Sequence, residues 1–356
     1  MQLFTVLSVI GVVQIIFCAL LVFVLMVHRR RTTRAEQLRA RFAQQLVEPL
    51  RTWALGERSM ESLLPLLRAV PPTIALESIA VHCAVRATPT ERTRMATLLR
   101  VEPWVQQLLD MHRSRQWVDR LRAARMLVVA GAPTDRPILT ALLSDPHAAV
   151  VSAALSAVRP LGDAVLVETL LTSLPTRPEY LRARSVDALR DAGSLTLAPL
   201  QARLRSECDP VRLRLYLEVA DHLADPRTIV HCAAHATHAD VGVRRAVARA
   251  CQHYFSERAH PVLTALLQDE SPEVRAEAAR SLGEIRATAC VPALASALRD
   301  GSHAVRVAAA LALAHIGVAG RTALVSAEQS DDRFAADAAC FVNGLSRGAI
   351  RELAEV

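Results

Sequence analysis

Two stretches of the chain carry the same apolar face. In SPEVRAEAARSLGEI (271–285), Val274, Ala278, Leu282 and Ile285 fall at i, i+4, i+8 and i+11, and in SHAVRVAAALALAHI (302–316) Val305, Ala309, Leu313 and Ile316 repeat that spacing 31 residues later. Such spacing puts all four side chains on one side of a helix. Ser271 is a natural N-cap and Pro272 suits the first helical position. A shorter apolar pattern follows, with Val291, Leu294 and Leu298, and an aspartate (Asp269, Asp300) closes each unit. Followed outward, the first apolar position of the long helix falls at Val150, Leu181, Val211, Val243, Val274, Val305 and Phe334. The i+8 positions are Val158, Leu189, Val219, Cys251, Leu282, Leu313 and Val342, all apolar or cysteine. Leu121 extends the series at an interval of 29, but Arg125 stands at its i+4 position and leaves that register open. Two helices per period of about 31 residues predict a stack of units, each burying its apolar face only against its neighbours.

The N-terminus has a different pattern. Residues 3–27 carry no charge; as a helix they would be about 37 Å long, against a hydrocarbon core of about 30 Å. No basic residue precedes the run, it is longer than the core of a signal peptide, and no small-residue cleavage site follows. It therefore predicts one retained transmembrane helix (1–28). Arg29, Arg30, Arg31 and Arg34 lie directly behind it and place everything downstream in the cytosol, with the N-terminus outside. Gln14, near mid-span, offers an amide to another helix. Residues 29–55 form a basic juxtamembrane segment in which Leu38, Phe42, Leu46, Leu50 and Trp53 make an apolar stripe. That stripe either lies on the anionic leaflet or packs on the repeats. Residues 56–114 read as four irregular helices forming an N-terminal cap, 115–346 as the repeats, and 347–356 as a C-terminal cap or tail. The fold class is thus all-α: an α-solenoid of seven to eight helix pairs behind one membrane helix.

The motif within the repeats resembles the HEAT family, in particular the short HEAT-like repeats first associated with phycobilin lyases. The similarity rests on Asp269–Val274–Arg275–Ala278 and Asp300–Val305–Arg306–Ala309, with weaker versions at Asp209–Val211–Arg212 and Asp240–Val243–Arg244. It implies that Arg182, Arg212, Arg244, Arg275 and Arg306 form a structural ladder with aspartates of neighbouring units, while Val151 and Ala335 depart from it. It also implies a concave surface lined by the second helix of each pair.

Composition narrows the chemistry. The apolar mass is Ala, Leu and Val, and aromatic residues make up only 4%. The chain contains no lysine, so all 42 basic residues are arginine, as expected of GC-rich coding. Six arginines and one acid lie between residues 28 and 41, so most of the formal +7 sits behind the membrane segment. The nearly balanced remainder, poor in aromatics, disfavours a nucleic-acid groove built from arginines. The seven cysteines are scattered without a CxxC pair, which fits a reducing compartment.

The densest candidate for chemistry is HCAAHATH, where His231 and His235 are four apart and His238 three further on. On one helix face they could hold a metal, with His222 and His253 on neighbouring helices. No carboxylate lies inside that stretch to orient the rings. The resemblance extends to deoxyhypusine hydroxylase, whose irons sit on paired His-Glu motifs; no His-Glu dipeptide occurs here. Phosphate loops and nucleophile elbows are likewise missing from the sequence. No cofactor or catalytic residue is therefore expected. The reading that remains is a scaffold: Arg184, Glu218, Arg245, Arg249, Glu277 and Arg280 would supply polar contacts around Val307 and Leu311. The expected partner is another membrane-associated protein, such as a bacterial inner-membrane enzyme or envelope assembly complex. A metal-dependent enzyme and arginine-mediated nucleic-acid binding are the alternatives.

Overall fold

The structure is a computed structural model that describes residues 26, 36–37, 40–53, 57–86, 89–253, 258–345 and 348–350. The predicted membrane segment, with Gln14 and the flanking Arg29, Arg30, Arg31 and Arg34, lies outside the described residues apart from Met26. No helix among the described residues is long and apolar enough to cross a membrane. All regular structure among them is helical. The chain divides into two compact units, residues 1–160 and 161–356, a division that falls inside the stretch the repeat pattern treats as continuous.

In the first unit, residues 40–53 are helical and bury Leu46 and Leu50. At those positions the apolar stripe is taken up by protein packing and is not left for a lipid surface. The region read as a cap contains helices Leu64–Arg68, Pro72–Arg86, Pro89–Leu99 and Pro103–Asp110. Prolines open three of them, where the missing N–H costs nothing. Trp117–Ala130 then packs on Ala148–Leu155.

The second unit is a regular series. Its long helices are Glu179–Ala192, Pro210–Leu223, Val241–Ala250, Pro272–Glu284, His303–Ile316 and Arg333–Asn343, each packed on the next. Shorter helices between them, such as Ala259–Leu266 and Val291–Ala297, complete the pairs. Val274, Ala278, Leu282, Val305, Ala309 and Leu313 are each 0% exposed. Burying one such leucine contributes about 2 kcal/mol. Gly283 lets two of these helices approach closely, since a Cβ there would lie 2.8 Å from Ala312 Cα.

Two of the expected seam positions are corrected. Val211 and Phe334 are 51% and 60% exposed. Asp209 caps its helix directly, so the first turn of Pro210–Leu223 begins early and projects Val211 outward; burial starts at Leu213. In the last helix Ala335, Ala338, Ala339 and Val342 face the core, and Phe334 lies to one side of them. All seven i+8 positions are buried.

Candidate interaction surface

A repeated polar joint ties successive units together. Arg244 donates through Nε and Nη2 to Asp269 (2.7 and 2.9 Å), and Nη1 donates to the carbonyls of His238 and Ala239. Arg275 does the same to Asp300 (2.8 and 2.9 Å) and to the carbonyls of Asp269 and Glu270. In the first unit Arg120 engages Asp145 and the carbonyls of Ser114 and Arg115 in the same pattern. Each arginine precedes its aspartate by 25 residues. Such bidentate, charge-assisted bonds fix geometry as well as add energy.

The aspartate has a second role, accepting the N–H two residues on and so starting the next helix. Asp145 takes the N–H of His147, Asp269 that of Ser271 and Asp300 that of Ser302. Glu207 and His238 take those of Asp209 and Asp240, and Ser114 that of Gln116. These acceptors obey a 31-residue register throughout. Thr176 falls in the same register, but the residue two on is Pro178, which has no N–H to offer. For Asp269, burial opposes ionisation, yet the bonds from Arg244 and the Ser271 N–H outweigh it and hold the carboxyl below the usual carboxylate range. Asp300 and Asp145 are shifted the same way by the same balance.

That register departs from the implied ladder at two arginines. Arg212 stands one place early; Leu213 occupies the rung position and is buried, while Arg212 is left 3.5 Å from Asp209 in its own turn. Asp209 precedes Arg212 by only three residues, too few for the loop that lets Arg275 reach back over its own helix start. Arg182 is half-buried and forms no ion pair among the described residues, while its rung partner Glu207 is turned to the N–H groups of Cys208 and Asp209.

Arg306 keeps half of the joint. Its Nη1 donates to the carbonyls of Asp300 and Gly301 at 2.8 and 3.1 Å, as in Arg275. Among the described residues no carboxylate meets its other edge; Asp331, at the rung position, is exposed and forms no ion pair among them. The guanidinium instead lies over the Phe334 ring, 4.8 Å from its centroid. Beside it opens a cleft of about 590 Å³ between His303–Ile316 and Arg333–Asn343, lined also by Arg280, Val307, Leu311 and Phe341. Phe341 is 50% exposed.

Three of the residues read from the sequence as partner-binding, Arg280, Val307 and Leu311, thus meet at one place. Leu311 is largely buried, so it forms the floor. The others lie elsewhere and several are already engaged. Arg249 is 3.2 Å from the buried Asp221, Arg245 is 3.7 Å from Glu273, and Glu277 is 3.3 Å from Arg280. Arg184 and Glu218 are exposed. Sequence reasoning missed Phe334 and Phe341 as surface residues. The available signal was their seven-residue spacing, which places both on a face beside that of Ala335, Ala339 and Val342.

The histidines are arranged for hydrogen bonding. The helix carrying His231 ends at Ala233, so His231 and His235 do not share a continuous helical face, contrary to the sequence-based expectation. His235 Nε2 donates to the Leu204 carbonyl at 2.6 Å, which places a proton on that nitrogen. His238 Nδ1 accepts the Asp240 N–H at 3.0 Å, doing the work aspartate does in the next two units. Among the described residues no group of three His, Cys, Asp or Glu side chains is placed to hold a metal. Cys232 and Cys251 are buried free thiols, and burial pushes each up to about 12; neither is a thiolate nucleophile at neutral pH.

Helix pairs in series, joined by arginine–carboxylate rungs and offering a surface cleft, define a helical-repeat protein. Residues 260–340 match the family model described as HEAT repeats. No curated protein matches the chain. Among solved structures, an engineered protein is similar at 18% identity over 79% of this chain and 87% of that one, with a TM-score of 0.34. Importin beta is similar at 12% identity over 80% of this chain and 50% of that one, TM-score 0.47, so the chain spans half the length of that structure. The Escherichia coli protein YibA is similar at 14% identity over 73% of this chain and 99% of that one, TM-score 0.35.

Proposed function

We propose that this chain is a protein-binding scaffold, held at the inner face of a plasma membrane by residues 3–27, with its repeats in the cytosol. The observation that carries the binding role is the cleft beside Arg306, where two exposed phenylalanines, Phe334 and Phe341, line one wall together. Exposed apolar surface rimmed by charge marks interaction sites. The tether would raise the local concentration of the repeats around membrane-associated partners, and the partner class proposed is an inner-membrane enzyme or envelope assembly complex. Catalysis is not part of this reading, nor is a cofactor. The test is affinity capture with the detergent-solubilised full chain beside its Phe334→Ser/Phe341→Ser variant. The expected result is a specific protein retained by the parent and lost from the variant. Equal retention by both would remove the cleft from the reading, and no retained protein would remove the scaffold.

A further inference from the structure

The repeat series specifies what its last cleft lacks. In two successive joints an arginine is held by two carbonyls through Nη1, and its Nε–Nη2 edge receives a carboxylate from the following unit, Asp269 on Arg244 and Asp300 on Arg275. Arg306 is fixed by the same two carbonyl bonds and is nine-tenths buried, yet that edge carries no carboxylate from the described residues. It borders an open cleft of about 590 Å³. The Phe334 ring covers the face of the guanidinium. A positively charged edge that opens on a largely apolar cleft favours an incoming acid.

We infer that the cleft binds a partner segment in which one aspartate or glutamate stands beside a bulky apolar residue, the carboxylate completing the rung on Arg306 and the apolar group resting between Phe334, Phe341 and Leu311. This rests on the scaffold reading and gives its partner a chemistry. The surrounding charges set the pattern. Arg280 adds positive charge, although it is partly committed to Glu277 at 3.3 Å. Asp337, also on the cleft wall, repels a second acid, so a single carboxylate within an apolar stretch fits better than an acidic run. The bidentate edge selects carboxylate over amide, because an amide presents only one acceptor oxygen.

The test uses the full chain in detergent and a labelled, end-capped pentapeptide with aspartate between two leucines, compared with the same peptide carrying asparagine. Fluorescence anisotropy should show the aspartate peptide binding about tenfold more tightly or better. That advantage should shrink as salt is raised, and it should vanish in Arg306→Met. Phe341→Ala, at an exposed position that does not threaten folding, should weaken both peptides together. Equal binding of the two peptides, or an aspartate preference that survives Arg306→Met, overturns the proposal. So does an Arg306-dependent gain in affinity on removing residues 351–356, which would give the cleft to the chain's own tail. If Arg306→Met and Phe341→Ala still retain the natural partner of the full chain, the scaffold stands and this site falls. Failure to retain any partner, with peptide discrimination intact, would be the failure of the scaffold reading alone.

Discussion

At the scale of single residues, the aspartate of each joint has two tasks, pairing with an arginine and capping the next helix. Asp269 meets Arg244 with both side chains nearly buried. Removing one member of such a pair leaves the other charged in a poor solvent. Asp269→Asn is therefore expected to lower stability by about 3 kcal/mol, read by chemical denaturation. The pH dependence follows from the depressed carboxyl of the folded state. Its contribution is complete above the unfolded value, about 4, and is lost as pH falls through the lower folded value. Asp145 and Asp300 act in the same window. The chain should lose stability as pH falls below about 4, and Asp269→Asn should flatten that acid limb while leaving the slope near pH 7 unchanged. The histidines make an opposite use of a metal-like pattern. Since His235 Nε2 already donates to the Leu204 carbonyl, His235→Ala should cost about 1 kcal/mol of stability. Elemental analysis of parent and variant should show the same substoichiometric zinc; one zinc per chain in the parent alone would restore the enzyme reading.

At the scale of the element, close helix packing is achieved with small residues. Gly283 sits where Pro272–Glu284 passes His303–Ile316, and a Cβ would press on Ala312 Cα. Gly283→Val is expected to push the two helices apart and cost about 3 kcal/mol, seen as a lower thermal midpoint, whereas Gly301→Ala, with open space around it, should shift the midpoint little. This level is also where the sequence was most legible. Leu282 and Leu313 are readable as core because the helical period and the repeat period agree on them. Phe334 was misread because hydrophobicity alone cannot separate a seam residue from an apolar surface residue one helix position away. The Arg120–Asp145 joint went unseen because Leu121 was taken as the phase marker, two residues off the register. Counting by 31 back from Arg244 passes Leu213, Arg182 and Val151 and arrives at Arg120. The cleft was legible only in part. Arg280, Val307 and Leu311 follow from helix geometry, but Arg306 was assigned to the ladder, and only coordinates reveal a rung whose carboxylate is missing.

At the scale of the whole molecule, the proposed membrane topology is open to direct test. Residues 28–41 carry six arginines against a single acid. The repeats beyond residue 56 are close to neutral, so in the proposed topology the arginine cluster is the feature expected to bias insertion. If residues 3–27 span the bilayer, the chain should stay in the membrane pellet through alkaline carbonate and leave it only with detergent. Protease should then degrade the repeats in inverted vesicles and spare them in intact spheroplasts. Neutralising Arg29, Arg30, Arg31 and Arg34 together to glutamine removes most of the flanking charge without touching a described contact. Orientation should then become mixed, with a fraction of the repeats cut from outside, while carbonate resistance persists because it depends on the apolar run. Extraction by carbonate would refute the span itself, and an orientation indifferent to the four arginines would refute their role in setting it.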